Sequence, residues 1–302
     1  MRLHDSTSDN VRLPIELERL IFELAASQWP SQIPRLLLVA QRVRRWLEPR
    51  LYHTLITDAS PKARALQTLI YTKPTGFFAQ HTHQVYLTGA GHWSENHVRE
   101  LLLLVPALDA LAVSGIWGSP QQKLLRDVRG VRRWSGYLES VYAWGSEPAA
   151  LALGTYAAFA GVTHMELFDD LSEELLLAPT LCAALASLPA LTHLCLTDTT
   201  RAVLRDVGEA CPRLEVLLFM SPVTAELEKM LRDPPFSTEE QMRARFVVTR
   251  LWGGFWVDWE VNPGTSGGFW RAADAFLERK RNREIADSMF WLEYKCPARL
   301  AG

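Results

Sequence analysis

Histidine, aspartate, serine and cysteine are the residue types on which this chain could build chemistry. His81, His83, His92 and His97 lie close together. Imidazoles bind zinc when ligands converge, commonly with cysteine or a carboxylate, but these four straddle a strand edge and a loop–helix junction without a ligand spacing. Asp169 and Asp170 follow one strand-like string and Asp198 follows the next. Carboxylates gathered at strand ends permit acid–base or metal chemistry. Aspartate is also a turn residue whose side chain bonds nearby backbone N–H groups, and that is the expectation here. Ser114-Gly115 and Ser221-Pro222 lack the G-x-S-x-G nucleophile elbow. Cys182, Cys195, Cys211 and Cys296 form no C-x-x-C pair, and a chain this long needs no disulfide framework. They read as reduced thiols of a cytosolic or nuclear protein. The run Arg279–Arg283, RKRNR, has the composition of a nuclear signal or nucleic-acid contact, but its place on an amphipathic helix makes it a solvated face. The expectation is a protein that is not an enzyme, with no catalytic residue, metal site or cofactor.

Composition narrows the remaining classes. The 302 residues are 48% hydrophobic and 22% charged, with a formal net charge of -2. A chain of this size buries a substantial core, and no global basic field recruits nucleic acid or an anionic membrane surface. Residues 1–12 are polar and lack the apolar region of a signal peptide. The apolar stretch around Leu151–Val162 is too short to span a bilayer. A soluble protein without nucleic-acid or membrane partners is expected.

What positions side chains begins at Leu13-Pro14, where proline suits the first turn of a helix. Leu17, Leu20, Ile21 and Leu24 recur at spacings of three and four, which places them on one face; Phe22 widens it. Trp29-Pro30 ends the helix, because proline disfavours helical geometry in the residue before it. A second helix follows Pro34, with Leu37, Leu38, Val43, Trp46 and Leu47 on its apolar side and Arg42, Arg44 and Arg45 solvated. Leu51–Ile56 continues as a short helix or strand. Helices this few cannot fill a core alone, so the following domain or another protein must cover part of their apolar surface.

The segments LPIELERLIFELA and PRLLLVAQRVRRWLEPRLYHTLI resemble an F-box-type motif, in the divergent form common in mushroom-forming fungi. Leu13 and Pro14 match the family's leucine-proline start, Ile21 and Phe22 its helical Ile-Phe, and Leu38, Val39 and Trp46 its second helix. The stretch Ala25–Ile33 lacks the usual leucine pattern, and RVRRW replaces the common Cys-Arg-x-Trp arrangement. The resemblance covers about a seventh of the chain. It implies docking onto the Skp-type adaptor of a cullin-based ubiquitin ligase through Leu13, Pro14, Leu17, Ile21, Phe22, Leu38, Val39 and Trp46. The other reading makes residues 13–56 the N-terminal cap of the domain that follows.

Periodicity dominates the remainder. Strand-like strings stand at 83–89, 108–115, 138–145, 162–170, 191–198 and 214–221, with a last one within 244–252. From the second, the pattern is L/V-x-x-apolar-x-apolar: Leu108/Leu111/Val113, Leu138/Val141/Ala143, Val162/Met165/Leu167, Leu191/Leu194/Leu196 and Leu214/Leu217/Phe219. Apolar helix-like segments precede several of them. A helix and a strand every 23 to 30 residues fits leucine-rich repeats. The rival is a doubly wound α/β domain, whose nucleotide-binding version lacks its glycine-rich loop here. The expected fold is α/β: an N-terminal F-box-like helical module over 1–57, then a curved leucine-rich repeat solenoid with parallel strands over 58–302. An exposed excursion at 232–241 and a helical cap over 269–289 belong to the second part, the cap closing the open end of the stack with Phe269, Trp270, Ala273, Phe276 and Leu277.

Strand alternation separates core from display. With Leu111 and Val113 inward, the opposite face shows Ala110, Ala112 and Ser114, then Gln84 and Tyr86, Tyr142 and Trp144, His164, Glu166 and Phe168, His193, Cys195 and Thr197, and Val216, Leu218 and Met220. Tyr86, Tyr142, Trp144, His164, Glu166, Phe168 and His193 are the expected partner-binding residues, aromatics being efficient interface anchors. The alternative is that C-terminal segments cover this face. Trp252, Phe255, Trp256, Trp259 and Trp270 form a second aromatic group, either a ligand pocket or core of the cap. Together these readings favour a ligase substrate-recognition adaptor binding an unidentified target protein. A ligase-independent scaffold stands second, and a small-molecule-binding protein built on the tryptophans third.

Overall fold

The computed structural model describes residues 13–88, 93–106, 108–114, 128–138, 153–171, 178–236, 240–251, 255, 258–259 and 268–295. Contacts divide the chain into two compact units, with the boundary between His53 and Thr54.

The first unit is helical. Helix α1 (Ile15–Gln28) starts after Pro14, with Glu16 and Glu18 in its first turn, where carboxylates complement the helix dipole. Trp29 closes it by donating its N–H to Ala25 O. The second helix expected after Pro34 is two pieces, α2 (Ile33–Leu36) and α3 (Gln41–Leu47), separated by a turn that holds Leu38 and Val39. Ala26, Ile33, Val43 and Leu47 form the buried centre, with Phe22, Leu36, Leu37, Ala40 and Trp46 packed on it. A bidentate Arg42–Glu18 pair, at 2.7 and 2.9 Å, ties α3 to α1.

The second unit carries one eight-stranded, all-parallel sheet whose spatial order is its sequence order. The strands are β1 (Thr54–Ile56), β2 (Gln84–Thr88), β3 (Ala110–Ser114), β4 (Arg133–Gly136), β5 (His164–Leu167), β6 (His193–Leu196), β7 (Val216–Ser221) and β8 (Phe246–Arg250). Thr54–Ile56, left between helix and strand by sequence, pairs with β2 and so belongs to this unit. A doubly wound sheet reverses strand order where its ligand binds; among the described strands no reversal occurs. Helices intervene between most strands: α4 (Pro61–Thr72) and α5 (Phe77–His81), α6 (Glu95–Leu104), α7 (Ala178–Ala186), α8 (Arg201–Ala210), then α9 (Thr224–Arg232) and α10 (Glu240–Arg243). Ser60, Ser94 and Thr200 cap α4, α6 and α8 by accepting a backbone N–H three residues on.

Register makes every second residue of each strand a row across the sheet. One row runs Leu55, Val85, Leu111, Trp134, Met165, Leu194, Leu217, Phe246, and all are buried. The strand between β3 and β5 is therefore Arg133–Gly136 and not the string expected from Leu138. Of that string, only Leu138 is a described residue. The pattern is present as Val131-x-x-Trp134, but two arginines obscure it, and a strand with a charged side chain directed into the protein is hard to see until its counter-ion is known.

Helix α11 (Gly268–Arg281) follows. It ends eight residues short of Met289, at a turn where Arg283 takes a positive φ of 59°. Its apolar side does not close an end of the stack. It lies on the sheet face opposite the Leu111 row, where Phe269, Trp270, Ala273, Phe276 and Leu277 pack with Tyr86, Ala112, Cys195, Leu218 and Val247. The edge of β8 is covered instead by the segment at 290–292: Val248 N donates to Phe290 O at 2.8 Å, and Leu292 N to Val248 O at 2.9 Å. Phe236, in the stretch expected as an exposed excursion, is buried against Phe246 with ring centroids 5.5 Å apart. Among the described residues no helix is long and apolar enough to cross a membrane.

Candidate functional site

Among the described residues, two places depart from an ordinary packed core: an uncovered apolar helix face in the first unit and a covered polar cluster in the second.

On α1, the spacing of Leu17, Leu20, Ile21 and Leu24 makes a stripe as expected, but the opposite side of the helix makes the unit's core. Glu18 and Phe22 are partly buried and Ala26 is fully so, while the leucine stripe is exposed, Leu17 at 49% and Leu20 at 60%. Leu13, Pro14, Leu38 and Val39 are also exposed, Leu38 at 86%. Phe22 and Trp46, expected at the docking surface, pack on the unit's own core instead. The reason is angular: Phe22 is one residue past Ile21, roughly 100° round the helix. Leu20 and Leu24 take its place on the displayed stripe, and the three-and-four spacing already implied them. Scattered apolar side chains are ordinary on protein surfaces, whereas a contiguous stripe over two turns marks an interaction surface.

In the second unit, the face expected to be open is the one under α11. Tyr86, His164, Glu166 and His193 are buried and Phe168 is partly buried; as open partner-binding residues they are corrected. Tyr142 and Trp144 lie outside the described residues, as do Trp252, Trp256, His92 and Cys296. The cover exists because the face is rich in apolar groups that water would otherwise wet, and α11 supplies the matching side. Trp259 and Trp270 are fully buried and Phe255 is buried, so these members of the tryptophan group are core.

Several polar members of the covered face bond to one another. Arg133 Nε donates to Glu166 Oε1 at 2.8 Å, with both side chains almost wholly buried. Ser135 Oγ and Trp270 Nε1 also donate to Glu166, and Trp259 Nε1 donates to Ser135 Oγ at 3.1 Å. Burial pushes the Glu166 carboxyl up, and Arg133 and the indole N–H oppose that shift. Cys195 beside it is held well above the usual thiol range by burial and by Glu166, so it is not a ready nucleophile. Asp258 accepts from Tyr294, and Gly268 at the start of α11 sits where a Cβ would fall 2.2 Å from Asp258 Oδ2. One row further, His164 stacks on His193 with ring centroids 4.0 Å apart, and the edges of both rings meet Trp270. His193 Nε2 lies 3.0 Å from Asp274 Oδ1. Sequence reading placed the two histidines and Glu166 on one face but missed Arg133, Ser135 and Asp274. Arg133 carried the only legible signal, a charge inside an apolar pattern.

The chemistry weighed from sequence finds structural uses. Asp169 accepts the N–H of Leu138, 31 residues away, at 2.9 Å, a long-range structural bond and not the local turn bond expected. Asp198 is pushed up by burial and by Asp170 and Glu226. His83 pairs with Asp109 at 2.9 Å, His97 with Ser94 at 3.0 Å, and His81 meets the edge of Phe77. Cys182, Cys195 and Cys211 are free and buried. No group of metal-ligating side chains occurs among the described residues. Within the RKRNR run, Arg279, Arg281 and Arg283 are exposed, but Lys280 is buried. Its Nζ donates to Arg243 O and Phe246 O and lies 4.5 Å from the Phe290 ring centroid. Scans against known family models and against curated proteins gave no match to the chain.

Proposed function

We propose that the first unit is an F-box-type docking module for a Skp-type adaptor, and that the chain is a substrate-recognition adaptor of a cullin-type ubiquitin ligase. The observation that carries this reading is the uncovered stripe of α1, whose residues coincide with much of the segment that resembles the motif. The unit builds its small core from the other side of α1, and the Arg42–Glu18 pair ties α3 to α1, so Leu17, Leu20, Ile21 and Leu24 take no part in the unit's own core. Sequential parallel strands joined largely through helices support a leucine-rich repeat solenoid for the second unit. The chain then catalyses nothing itself. It brings a target's lysines to a recruited conjugating enzyme and raises their effective concentration there. With the expected sheet face under α11, the target falls to other surfaces of the second unit.

The test is capture of a purified Skp-type adaptor by the full chain and by a variant carrying Leu17→Ser, Ile21→Ser and Leu38→Ser. Binding by the natural chain, reduced by about a hundredfold or more in the variant while its circular dichroism stays unchanged, is the expected result. Three lost apolar anchors at about 1–2 kcal/mol each would exceed that factor. A folded natural chain that fails to bind the adaptor overturns the reading and favours a ligase-independent scaffold.

A further inference from the structure

Two successive repeats place the same dipeptide at the same register position: Thr163-His164 before β5 continues, and Thr192-His193 before β6 continues, with His164 paired to His193 across the strands. The rings are nearly parallel, 13° apart at 4.0 Å. Each is pinned by its own threonine. Thr163 Oγ1 donates to Arg132 O at 3.1 Å and lies 2.9 Å from His164 Nδ1; Thr192 Oγ1 donates to Thr163 O at 3.3 Å and lies 2.7 Å from His193 Nδ1. A hydroxyl whose proton is committed to a carbonyl accepts from Nδ1–H. That arrangement leaves the far nitrogen of each ring directed away from the threonines. For His193 this nitrogen meets Asp274 of α11; both rings also touch Trp270 of α11. Among the described residues, the charged groups near the stack are Arg133 from β4, Glu166 from β5 and Asp274 from α11.

We propose that the His164–His193 stack is an acid-sensitive latch for α11: it holds at most one positive charge while α11 lies on the sheet, and charging both rings releases the helix. Two imidazolium rings at 4.0 Å repel in a site where Arg133 already adds positive potential, and one carboxylate faces only one of them. Release separates Trp270 and Asp274 from the rings and admits water to both. Burial, His193 and Arg133 act in the same direction on His164, which is held down to about 3 from its ordinary 6.5. The sign for His164 follows: what its neutral ring contributes to the latch is fully present above about 6.5 and is lost progressively as pH falls from there toward about 3.

The test is hydrogen exchange of the full chain, followed by mass spectrometry at pH 7.5 and 4.5 and corrected for intrinsic rates. Protection over residues 270–281 should fall by about a hundredfold at pH 4.5, the factor for a group two units below its free value, with β6 and β7 far less affected. His164→Asn, which keeps an N–H donor near Thr163 but cannot charge, should hold the protection within about threefold. Asp274→Asn, at a half-exposed position, should move the loss to higher pH by removing the facing carboxylate. Unchanged protection of α11 at pH 4.5, or a loss shared equally by the strands, overturns the latch. So does a His164→Asn variant that loses protection like the natural chain. If that variant does not fold, an Asp274→Asn profile identical to the natural one overturns it.

Discussion

Helices α1 and α11 are the same length, 14 residues, and both are amphipathic, yet they dispose of their apolar sides in opposite ways. On α11 the apolar side is buried together with Lys280, and only one residue of α1, Ala26, is fully buried. The difference lies in what each face meets. The α11 side carries polar atoms with designated partners: the Trp270 indole N–H finds Glu166, and Asp274 finds His193. These contacts fix one orientation of the helix on the sheet, because a misplaced α11 would leave buried polar groups unpaired. The α1 stripe is purely aliphatic. An aliphatic stripe gives affinity for a complementary groove without specifying a partner inside its own unit, and the proposed docking role depends on that freedom.

The comparison breaks first on truncation. Trp270→Ala should destabilise the second unit by about 3–5 kcal/mol, the range for deleting a large buried aromatic. Leu20→Ala on α1 should stay within about 0.5 kcal/mol, as for exposed positions. Urea denaturation followed by circular dichroism measures both. Comparable losses at the two positions would mean that the α1 stripe is core after all. A smaller change sharpens the same contrast: Trp270→Phe keeps a ring over the histidines but withdraws the donor to Glu166. The cost of leaving that buried acceptor short is about 1–3 kcal/mol. A cost near zero would show that shape alone seats α11.

Sequence made the repeat legible wherever strands followed the apolar pattern, as at Met165, Leu194 and Leu217, because alternation in a parallel sheet writes core positions directly into spacing. It failed at β4, where Arg133 occupies a row position that elsewhere holds Ala110, His164 or Val216. No local rule makes an arginine internal; only the distant Glu166, with Trp270 beyond it, does so. The face holding Tyr86, His164, Glu166 and His193 was assigned by the same alternation, while its cover by C-terminal segments stood only as the alternative. Whether α11 lies on the sheet or closes an end depends on pairings such as His193 with Asp274, 81 residues apart. In the first unit the stripe was readable from spacing, and Phe22 was misplaced because a neighbour in sequence is far from a neighbour round a helix.

The smallest expected effect concerns Lys280, the charge that α11 carries into its buried side. Its ammonium retains two backbone carbonyls and the Phe276 and Phe290 rings, at 5.4 and 4.5 Å, so much of its lost hydration is replaced. Burial still holds it down to about 8 from 10.5; Asp287 opposes that shift and Arg243 adds to it. A lysine depressed in this way is neutral in both states above about 10.5. Between there and about 8 the unfolded chain binds a proton that the folded chain does not, so stability declines as pH falls through that window and then levels off. Lys280→Met should therefore gain on the natural chain at pH 8 and lose that advantage toward pH 10, by about 1 kcal/mol or less. Urea midpoints of both chains at pH 8, 9 and 10 measure the difference. A difference that stays constant with pH would mean the ammonium keeps its water, and that α11, like α1, leaves its charged groups in solvent.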